Sequence, residues 1–328
     1  MGVLCSGSFV ADIIVPDLQC IGSPGSLTYA PNGIHLSPGG HSSNVAIDLV
    51  QLGVDDVYAV GSLGGDALGR LLVELLTEKG VCPLPEVQVG VSTAKNVALL
   101  VKGEDRRYIS ELAANSLLSS EYLLESIVRV EPSFFYQGTL GGLPDIEKNL
   151  SSVLREMRDS GALNFVDVIM PSGGWEYLEP DLGFIDVFHA NREEAIDLVG
   201  VESIVDAVRW LTGAGVGLAV VSDASNGVTA GSDSFLVEMP AYAVESRDPT
   251  GAGDALSAGI IKHLVENNIS RSELRDPETV IELLLMGQAA GAACVTGIGA
   301  TTNVIMENVD NILAGKMGIR EETLVRWL

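Results

Sequence analysis

The sequence predicts an α/β protein: a three-layer sandwich in which a mostly parallel central sheet lies between helices, with a small β lid. Short aliphatic runs alternate with amphipathic helical stretches along nearly all of the 328 residues. The aliphatic runs are continuous, which is typical of parallel strands buried on both faces. Two segments, at about 13–37 and 93–113, break this alternation, and we expect them to form the lid.

The elements follow one another in a regular order. Strands are predicted at 2–8, 57–60, 96–101, 133–137, 163–168, 187–189 and 218–222. Helices are predicted at 42–52, 68–79, 146–160, 192–198, 203–212 and 255–267. A turn at 103–105 predicts a hairpin in the second lid segment. We expect a single domain over residues 1–328.

Charge and composition exclude several classes of protein. The chain has 44 acidic and 19 basic residues, for a net charge of -25, which argues against nucleic acid or an anionic membrane surface as a partner. Because 47% of the residues are hydrophobic, the acidity is not that of a disordered chain. Four scattered cysteines, no basic leader and no apolar run of membrane-spanning length predict a cytoplasmic protein with reduced thiols.

The sharpest motif is DPTGAGD at residues 248–254, followed by a run of small residues. Gly251, Ala252 and Gly253 precede a helix, so their amides can face an anion without obstruction. Asp254 falls in the first helical turn, where its carboxylate can accept a proton from a hydroxyl. An anion cradle beside a base favours phosphoryl transfer to an alcohol. The alternative is an ordinary helix start stabilised by an acidic residue.

Two further glycine-rich stretches come earlier in the chain. In GGHSSN at 39–44, Gly39 and Gly40 allow close approach of a ligand, and Asn44 offers a donor and an acceptor for hydroxyls. The alternative is a glycine turn in which Ser42 caps the helix. GSLGGDALG at 61–69 lacks the G-x-G-x-x-G spacing, so a dehydrogenase is not favoured.

Taken together and in this order, the three stretches resemble the signatures of the ribokinase-like (PfkB) carbohydrate kinase family, with the resemblance extending from residue 6 to about 303. The resemblance implies a ribokinase-like fold and transfer of the γ-phosphoryl group of ATP to a primary hydroxyl of a small neutral sugar, with Mg²⁺. It implies that Asp254 is the catalytic base. Gly251, Ala252 and Gly253 would form the anion hole.

The resemblance also implies roles for other residues. The acceptor would be bound by Asp12, Gly39, Gly40, Asn44 and Asn115, and the nucleotide by Ser222, Gly227 and Gln288. Mg²⁺ would be held through water by Asn191 and Glu194, and a monovalent cation such as K⁺ by Asp248 and Thr250. Structural alternatives stay open, among them a turn-capping role for Asp12, a solvated helix-face charge for Glu194 and a packing role for Gln288.

Departures from the family pattern bear on the substrate. Relatives that take ribose or sugar phosphates often carry Lys where this chain has His41, and a neutral imidazole cannot replace that fixed charge. A neutral acceptor is therefore expected, with Arg106 and Arg107 in the lid as alternative phosphate ligands. Relatives often have Gly at the positions of Asp223 or Ala224, which leaves the nucleotide contacts there open.

Two other functions remain as alternatives. A nucleoside kinase of the same fold would present a similar ribose hydroxyl, and Tyr29 is the obvious lid residue for stacking on a base. A ligand-binding relative that has lost turnover belongs to a different class, but the retained glycine-rich motif and Asp254 argue against it. In relatives the lid often mediates dimers, so a homodimer is expected.

Overall fold

The computed structural model describes residues 2–104, 107–171 and 173–328. The strands in these ranges are β1 (Val3–Ser6), β2 (Val10–Leu18), β3 (His35–Gly39), β4 (Val57–Gly64), β5 (Cys82–Gln88), β6 (Lys95–Val101), β7 (Arg107–Glu111), β8 (Phe134–Leu140), β9 (Leu163–Val168), β10 (Val187–Asn191), β11 (Leu218–Ser222), β12 (Val228–Gly231), β13 (Phe235–Met239) and β14 (Leu324–Trp327). The α-helices are α1 (His41–Gln51), α2 (Ala67–Glu78), α3 (Ser120–Val130), α4 (Pro144–Lys148), α5 (Leu150–Asp159), α6 (Arg192–Val199), α7 (Ile204–Gly213), α8 (Ala252–Glu266), α9 (Pro277–Val295), α10 (Met306–Leu313) and α11 (Lys316–Glu322).

The main sheet has the strand order β14-β13-β12-β11-β10-β9-β8-β1-β4-β5. From β11 to β5 every neighbouring pair is parallel, and β12, β13 and β14 add an antiparallel edge. Two large apolar clusters pack on the sheet, one with α1, α8 and α9 and the other with α3, α5 and α7. The predicted sandwich with a mostly parallel sheet is confirmed.

The lid is a second sheet of four strands, in the order β3-β2-β6-β7. β2 and β6 pair in parallel, whereas β6 and β7 form the antiparallel hairpin expected of the second lid segment. The predicted hairpin turn includes Asp105, which lies outside the described residues. Both predicted lid segments thus contribute strands to one sheet beside the site.

The motif GSLGGDALG has a structural explanation centred on Asp66. Its carboxylate caps α2 by accepting the Gly69 amide at 2.8 Å, and it also accepts the amide and hydroxyl of Thr93 at 2.9 and 2.7 Å. Burial alone would raise the pKa of Asp66, but these hydrogen bonds lower it to about 2. The motif therefore fixes the start of the second lid segment to the main sheet.

The run of small residues in α8 allows close packing against α9. A Cβ on Gly259 would lie 2.7 Å from the Met286 carbonyl oxygen and 2.8 Å from the Gly287 Cα. Contrary to the sequence-based expectation, α9 is long and apolar enough by length and composition to cross a membrane. Because 67% of that stretch is buried inside the protein, it has the character of a core helix.

Several predicted elements differ in their extent. The helix expected at 146–160 is divided at Asn149 into α4 and α5. β5 was not predicted because its sequence, CPLPEVQ, contains two prolines, which are tolerated here since β5 lies at the sheet edge. The antiparallel strands β12, β13 and β14 and the helices α3, α9, α10 and α11 were also missed.

Asp48 is an unusual component of the core. It lies on α1, one turn after Asn44, is fully buried, and neither of its carboxylate oxygens has a partner among the described residues. Burial raises its pKa well above the ordinary value, and the nearby Asp254 adds to the effect. The folded chain therefore binds a proton at Asp48 at a higher pH than the unfolded chain, in which this carboxyl group ionises above a pH of about 4.

Replacing this carboxyl group should stabilise the fold. Asp48→Ala removes two unsatisfied buried oxygens, and we expect the free energy of unfolding at pH 7 to rise by about 1–3 kcal/mol. The advantage over the wild type should grow as the pH rises from 4, because the wild type loses stability over that range. Urea unfolding at several pH values measures this, with the exposed Asp55→Ala as control; equal or lower stability of Asp48→Ala at pH 7 would contradict it.

Candidate active site

The DPTGAGD motif forms the start of α8 at the carboxyl end of the main sheet. Gly251 precedes the helix with a φ of 80°, and a Cβ there would lie 2.5 Å from that of Ala300. No side chain of the described residues caps this helix. The Ala252 amide makes a long hydrogen bond of 3.4 Å to the Pro249 carbonyl, and the other first-turn amides are left to an outside acceptor. The predicted anion hole at Gly251, Ala252 and Gly253 thus has the backbone that an anion requires.

Asp254 lies in the first turn of α8 and is 7% exposed. Its Oδ2 accepts a hydrogen bond of 2.8 Å from Asn44 Nδ2, whereas Oδ1 is buried and has no hydrogen-bond partner in the described structure. Burial raises the pKa of Asp254, and the nearby His41 opposes the rise. The carboxylate therefore has one oxygen fixed by α1 and one available to a hydroxyl.

Asp12 lies on β2, on the lid side of the site. Its Oδ1 accepts a hydrogen bond of 3.0 Å from Asn96 on β6, and its Oδ2 occupies space that a side chain at position 39 would fill, since a Cβ on Gly39 would lie 2.0 Å away. Burial raises the pKa of Asp12 to about 6, against the lowering effect of Asn96. Gly39 is thus required for the placement of Asp12.

Asn115 and Gly40 complete the acceptor side. Asn115 Oδ1 accepts the Phe9 amide at 3.0 Å, and its Nδ2 is buried with no partner in the described structure. Gly40 adopts a φ of 90°, and a Cβ there would lie 2.4 Å from the Ser8 carbonyl oxygen. Among the candidate site residues, Asn44 Oδ1, Asp254 Oδ1 and the Asn115 amide nitrogen are buried polar atoms without a partner in the described structure. A ligand rich in hydroxyls would satisfy all three.

On the other side of the anion hole lies a cavity of about 400 Å³. Ser222, Gly227 and Gln288, the three residues expected on the nucleotide side, all line it, and it reaches Gly253. Most of the remaining lining is apolar, with Tyr242, Val244, Leu256, Ala292 and Val295. Gln288 donates to the Pro240 carbonyl at 3.0 Å, so its amide nitrogen has a structural role as well.

The predicted metal residues Asn191 and Glu194 form the capping box of α6. Asn191 Oδ1 accepts the Glu194 amide at 3.0 Å, and Glu194 Oε2 accepts the Asn191 amide at 2.9 Å. Burial raises the pKa of Glu194, although the Asn191 amide lowers it. One Glu194 oxygen has no part in the box, and oxygen donors of this kind suit Mg²⁺ through bound water.

Asp248 and Thr250, expected to hold a monovalent cation, fasten the loop before α8. Asp248 Oδ1 accepts the amide and hydroxyl of Thr250 at 3.0 and 2.6 Å, and Oδ2 accepts the Gly299 amide at 2.9 Å. The nearby Val295 carbonyl accepts the amides of Arg247 and Asp248 at 2.7 and 3.2 Å. Both carboxylate oxygens thus have partners within the protein, and the cation site stays a prediction.

A buried polar network below the anion hole was not predicted from the sequence. Asp167 Oδ2 accepts hydrogen bonds from His189 Nδ1, Ser257 and Tyr136 at 3.0, 3.0 and 3.2 Å. His189 Nε2 lies 3.1 Å from Ser222 Oγ. The signal was available, because Asp167 and His189 fall at matching positions of neighbouring parallel strands that both end at the site.

Of the two tyrosines in the lid segments, Tyr108 and not Tyr29 reaches the loop before α8. The Tyr108 hydroxyl on β7 lies 2.6 Å from Thr250 Oγ1, whereas Tyr29 is 80% exposed. Arg107 forms an ion pair with Glu104 on the exposed hairpin. Arg106, the other phosphate ligand considered, lies outside the described residues.

The turn after β11, on the side of the cavity, contains Ala224. Its φ of 47° explains why a glycine suits this position.

Comparison with known proteins gives the same family over almost the whole chain. Fructokinase-1 of Oryza sativa subsp. japonica is 28% identical over 296 residues, covering 86% of this chain and 89% of that protein. Aminoimidazole riboside kinase of Salmonella typhimurium is 26% identical over 275 residues, covering 81% and 84%. The structure of fructokinase with bound ATP from Xylella fastidiosa matches with a TM-score of 0.80 and 23% identity, covering 96% and 99% of the two chains.

The pfkB family carbohydrate kinase model matches residues 2–306, which include the three glycine-rich stretches, the lid and the start of α8. The chain therefore belongs to the pfkB family of carbohydrate kinases.

Proposed function

We propose that this kinase transfers the γ-phosphoryl group of ATP to a primary hydroxyl of a small neutral sugar, with Asp254 as the base. The observation that carries the proposal is the free Asp254 Oδ1 beside the uncapped start of α8, between the polar acceptor side and the 400 Å³ cavity. A nucleotide in that cavity would direct its phosphates at the amides of Gly251–Gly253.

In the reaction, the proton of the acceptor hydroxyl passes to Asp254 Oδ1 as the acceptor oxygen bonds to the γ-phosphorus. The bond from that phosphorus to the bridging oxygen breaks, and ADP leaves. Mg²⁺, held through water by Asn191 and Glu194, would neutralise charge on the phosphates. The amides of the anion hole supply further stabilisation without adding a charged side chain.

The groups around the acceptor side favour a neutral acceptor. Asp12 and Asp254 are acidic, and His41 is the basic side chain that approaches Asp254. Two cations of the lid strands, Lys95 and Arg107, are paired with Glu111 and Glu104. A sugar phosphate would bring its negative charge close to two carboxylates, which would be unfavourable in a partly desolvated site.

A nucleoside is the second candidate acceptor, supported by the aminoimidazole riboside kinase among the relatives. ATP consumption in the presence of D-fructose, D-ribose, fructose 6-phosphate and adenosine distinguishes the candidates. We expect turnover with a free sugar. Turnover with adenosine alone would favour the second candidate, and turnover with none would favour a binding protein.

Asp254→Asn tests the catalytic base. Loss of the proton acceptor should lower turnover by about 10²–10⁴-fold, whereas ATP and acceptor still bind. Turnover is measured by ADP release and binding by calorimetry, with the exposed Glu156→Gln as the matched control. If Asp254→Asn turned over at the wild-type rate, Asp254 would not be the base.

Asp12 should make acceptor binding dependent on pH. With a pKa of about 6, the Asp12 carboxylate becomes protonated below pH 6. A protonated carboxyl group accepts hydrogen bonds from the acceptor's hydroxyls less well, so the acceptor KM should rise as the pH falls. Asp12→Asn should raise KM by about 10-fold or more and remove its pH dependence between pH 5 and 7. A variant whose KM retained the wild-type pH dependence would show that another group is responsible.

We also propose that the lid mediates a homodimer. Large apolar side chains are exposed on or beside its strands, with Ile109 at 67%, Ile34 at 66% and Leu112 at 55% exposure. Exposed apolar side chains of this size on a protein with a net charge of -25 favour an apolar partner surface, and a second lid provides one.

Ile109→Glu should therefore convert the protein to monomers, because it places a charge among the exposed apolar side chains of the lid. Size-exclusion chromatography with light scattering gives the mass directly. Val128→Glu is the control, since Val128 is equally exposed at 66% but lies on α3, outside the lid. A monomeric wild type would refute the proposal, as would an Ile109→Glu variant that remained dimeric.

A further inference from the structure

His41 is held in a defined position beside Asp254. Its Nδ1 accepts the Thr139 amide at 3.3 Å and lies 3.8 Å from Asp254 Oδ1. The Ser8 hydroxyl accepts the His41 backbone amide at 3.3 Å. A Cβ on Gly138 would lie 2.6 Å from the His41 Cβ, so that glycine leaves space for the ring.

The backbone that holds the ring is strained. Thr139 has a φ of 61°, which is rare for a β-branched residue, and the pairing of β8 with β9 shifts register at this point. This conformation accompanies the amide contact with His41 Nδ1, and the Thr139 side chain is fixed by Ser8. The local structure thus fixes the position of His41 Nδ1.

That nitrogen faces both a donor and an acceptor. A neutral ring satisfies the Thr139 amide through the Nδ1 lone pair, but then places that lone pair towards Asp254 Oδ1 with no proton between them. A proton on Asp254 Oδ1 removes this conflict and keeps the Thr139 contact, whereas a proton on His41 Nδ1 also removes it but breaks the hydrogen bond from the Thr139 amide. The protonation states of the two side chains are therefore coupled.

The wider surroundings of the pair are acidic. Among the described residues, His41 is the basic side chain found within 4.0 Å of the Asp254 carboxylate. The other histidine at the site, His189, is buried and is already paired with Asp167 at 3.0 Å. The titratable groups that face the pair are Asp12 on β2, Asp48 on α1, Tyr136 on β8, Asp167 on β9, His189 on β10, Glu194 on α6 and Asp248 before α8.

We propose that His41 and Asp254 form a proton-sharing pair, in which His41 is a positioning residue that sets the pH range over which Asp254 is ionised. A positive imidazole 3.8 Å from the carboxylate favours its charged form, which a base requires. The directions of the two pKa values agree: Asp254 raises the pKa of His41 against the effect of burial, and His41 lowers that of Asp254. The kinetic consequence rests on the proposed role of Asp254 as base.

The coupling can be measured without a substrate. The pH titration of each of the four histidines is to be followed by NMR through the chemical shift of its Cε1 proton. The His41 signal is assigned by its loss in His41→Gln. We expect Asp254→Asn to lower the pKa of His41 by about one pH unit or more, because it removes the nearby negative charge. The signal of the exposed His35 should not change. An unchanged pKa of His41 in Asp254→Asn would overturn the proposal.

The kinetic test uses the acceptor that gives the highest turnover in the panel of D-fructose, D-ribose, fructose 6-phosphate and adenosine. His41→Gln should shift the acidic limb of kcat to higher pH by about one unit, with a plateau at high pH within a few-fold of wild type. His41→Lys, which keeps the charge, should restore the limb, and His35→Gln is the matched control. His41→Asn gives the same test with a smaller side chain.

The outcomes separate the two proposals. A uniform loss of rate at all pH values in His41→Gln and His41→Asn, with no shift of the limb, would assign His41 a purely structural role. The assignment of Asp254 as the base would be unaffected, provided that Asp254→Asn shows the expected loss of turnover. Wild-type turnover by Asp254→Asn would instead refute the base, and the kinetic part of the inference with it.

Discussion

The hydrogen bond from Asn44 to Asp254 joins two helices whose residues are 210 positions apart in the chain. It fixes the start of α1, which follows the lid strand β3, to the start of α8, which presents the anion hole. The polar acceptor side and the apolar cavity therefore each lie at a fixed distance from the Asp254 carboxylate. Close packing of the small residues of α8 against α9 keeps the helix start in place.

The electrostatics of the site are local and contrast with the charge of the chain. A net charge of -25 cannot attract an anionic nucleotide, and Asp12, Asp48, Asp167 and Asp254 place four acidic side chains in or next to the site. Attraction for phosphate comes from uncapped backbone amides, which contribute partial positive charge without a basic side chain. The buried Asp167 is balanced by His189. The charged groups that act on Asp254 therefore lie within a few ångströms of it.

Much of the fold follows from local pattern. Continuous apolar runs predicted the parallel strands β1, β4, β8, β9, β10 and β11, and the glycine-rich motifs identified the start of α8. β5 was missed because it contains two prolines. The short antiparallel strands β12–β14 were also missed, although β13 is an apolar run. The Asp167–His189 pair could have been predicted only by assuming that the two strands are neighbours and in register. The Tyr108 contact depends on the placement of the lid, which a single sequence does not encode locally. Asp48 was overlooked because the sequence pattern of α1 does not show that the helix face carrying Asp48 is buried.

The contact between Tyr108 and Thr250 links the lid directly to the loop that begins α8. Thr250 in turn is held by Asp248, so the lid position and the shape of the anion hole are mechanically joined. If an acceptor bound better to one lid position than to another, this contact would carry that preference to the start of α8. Donor and acceptor would then change each other's affinity by the same factor.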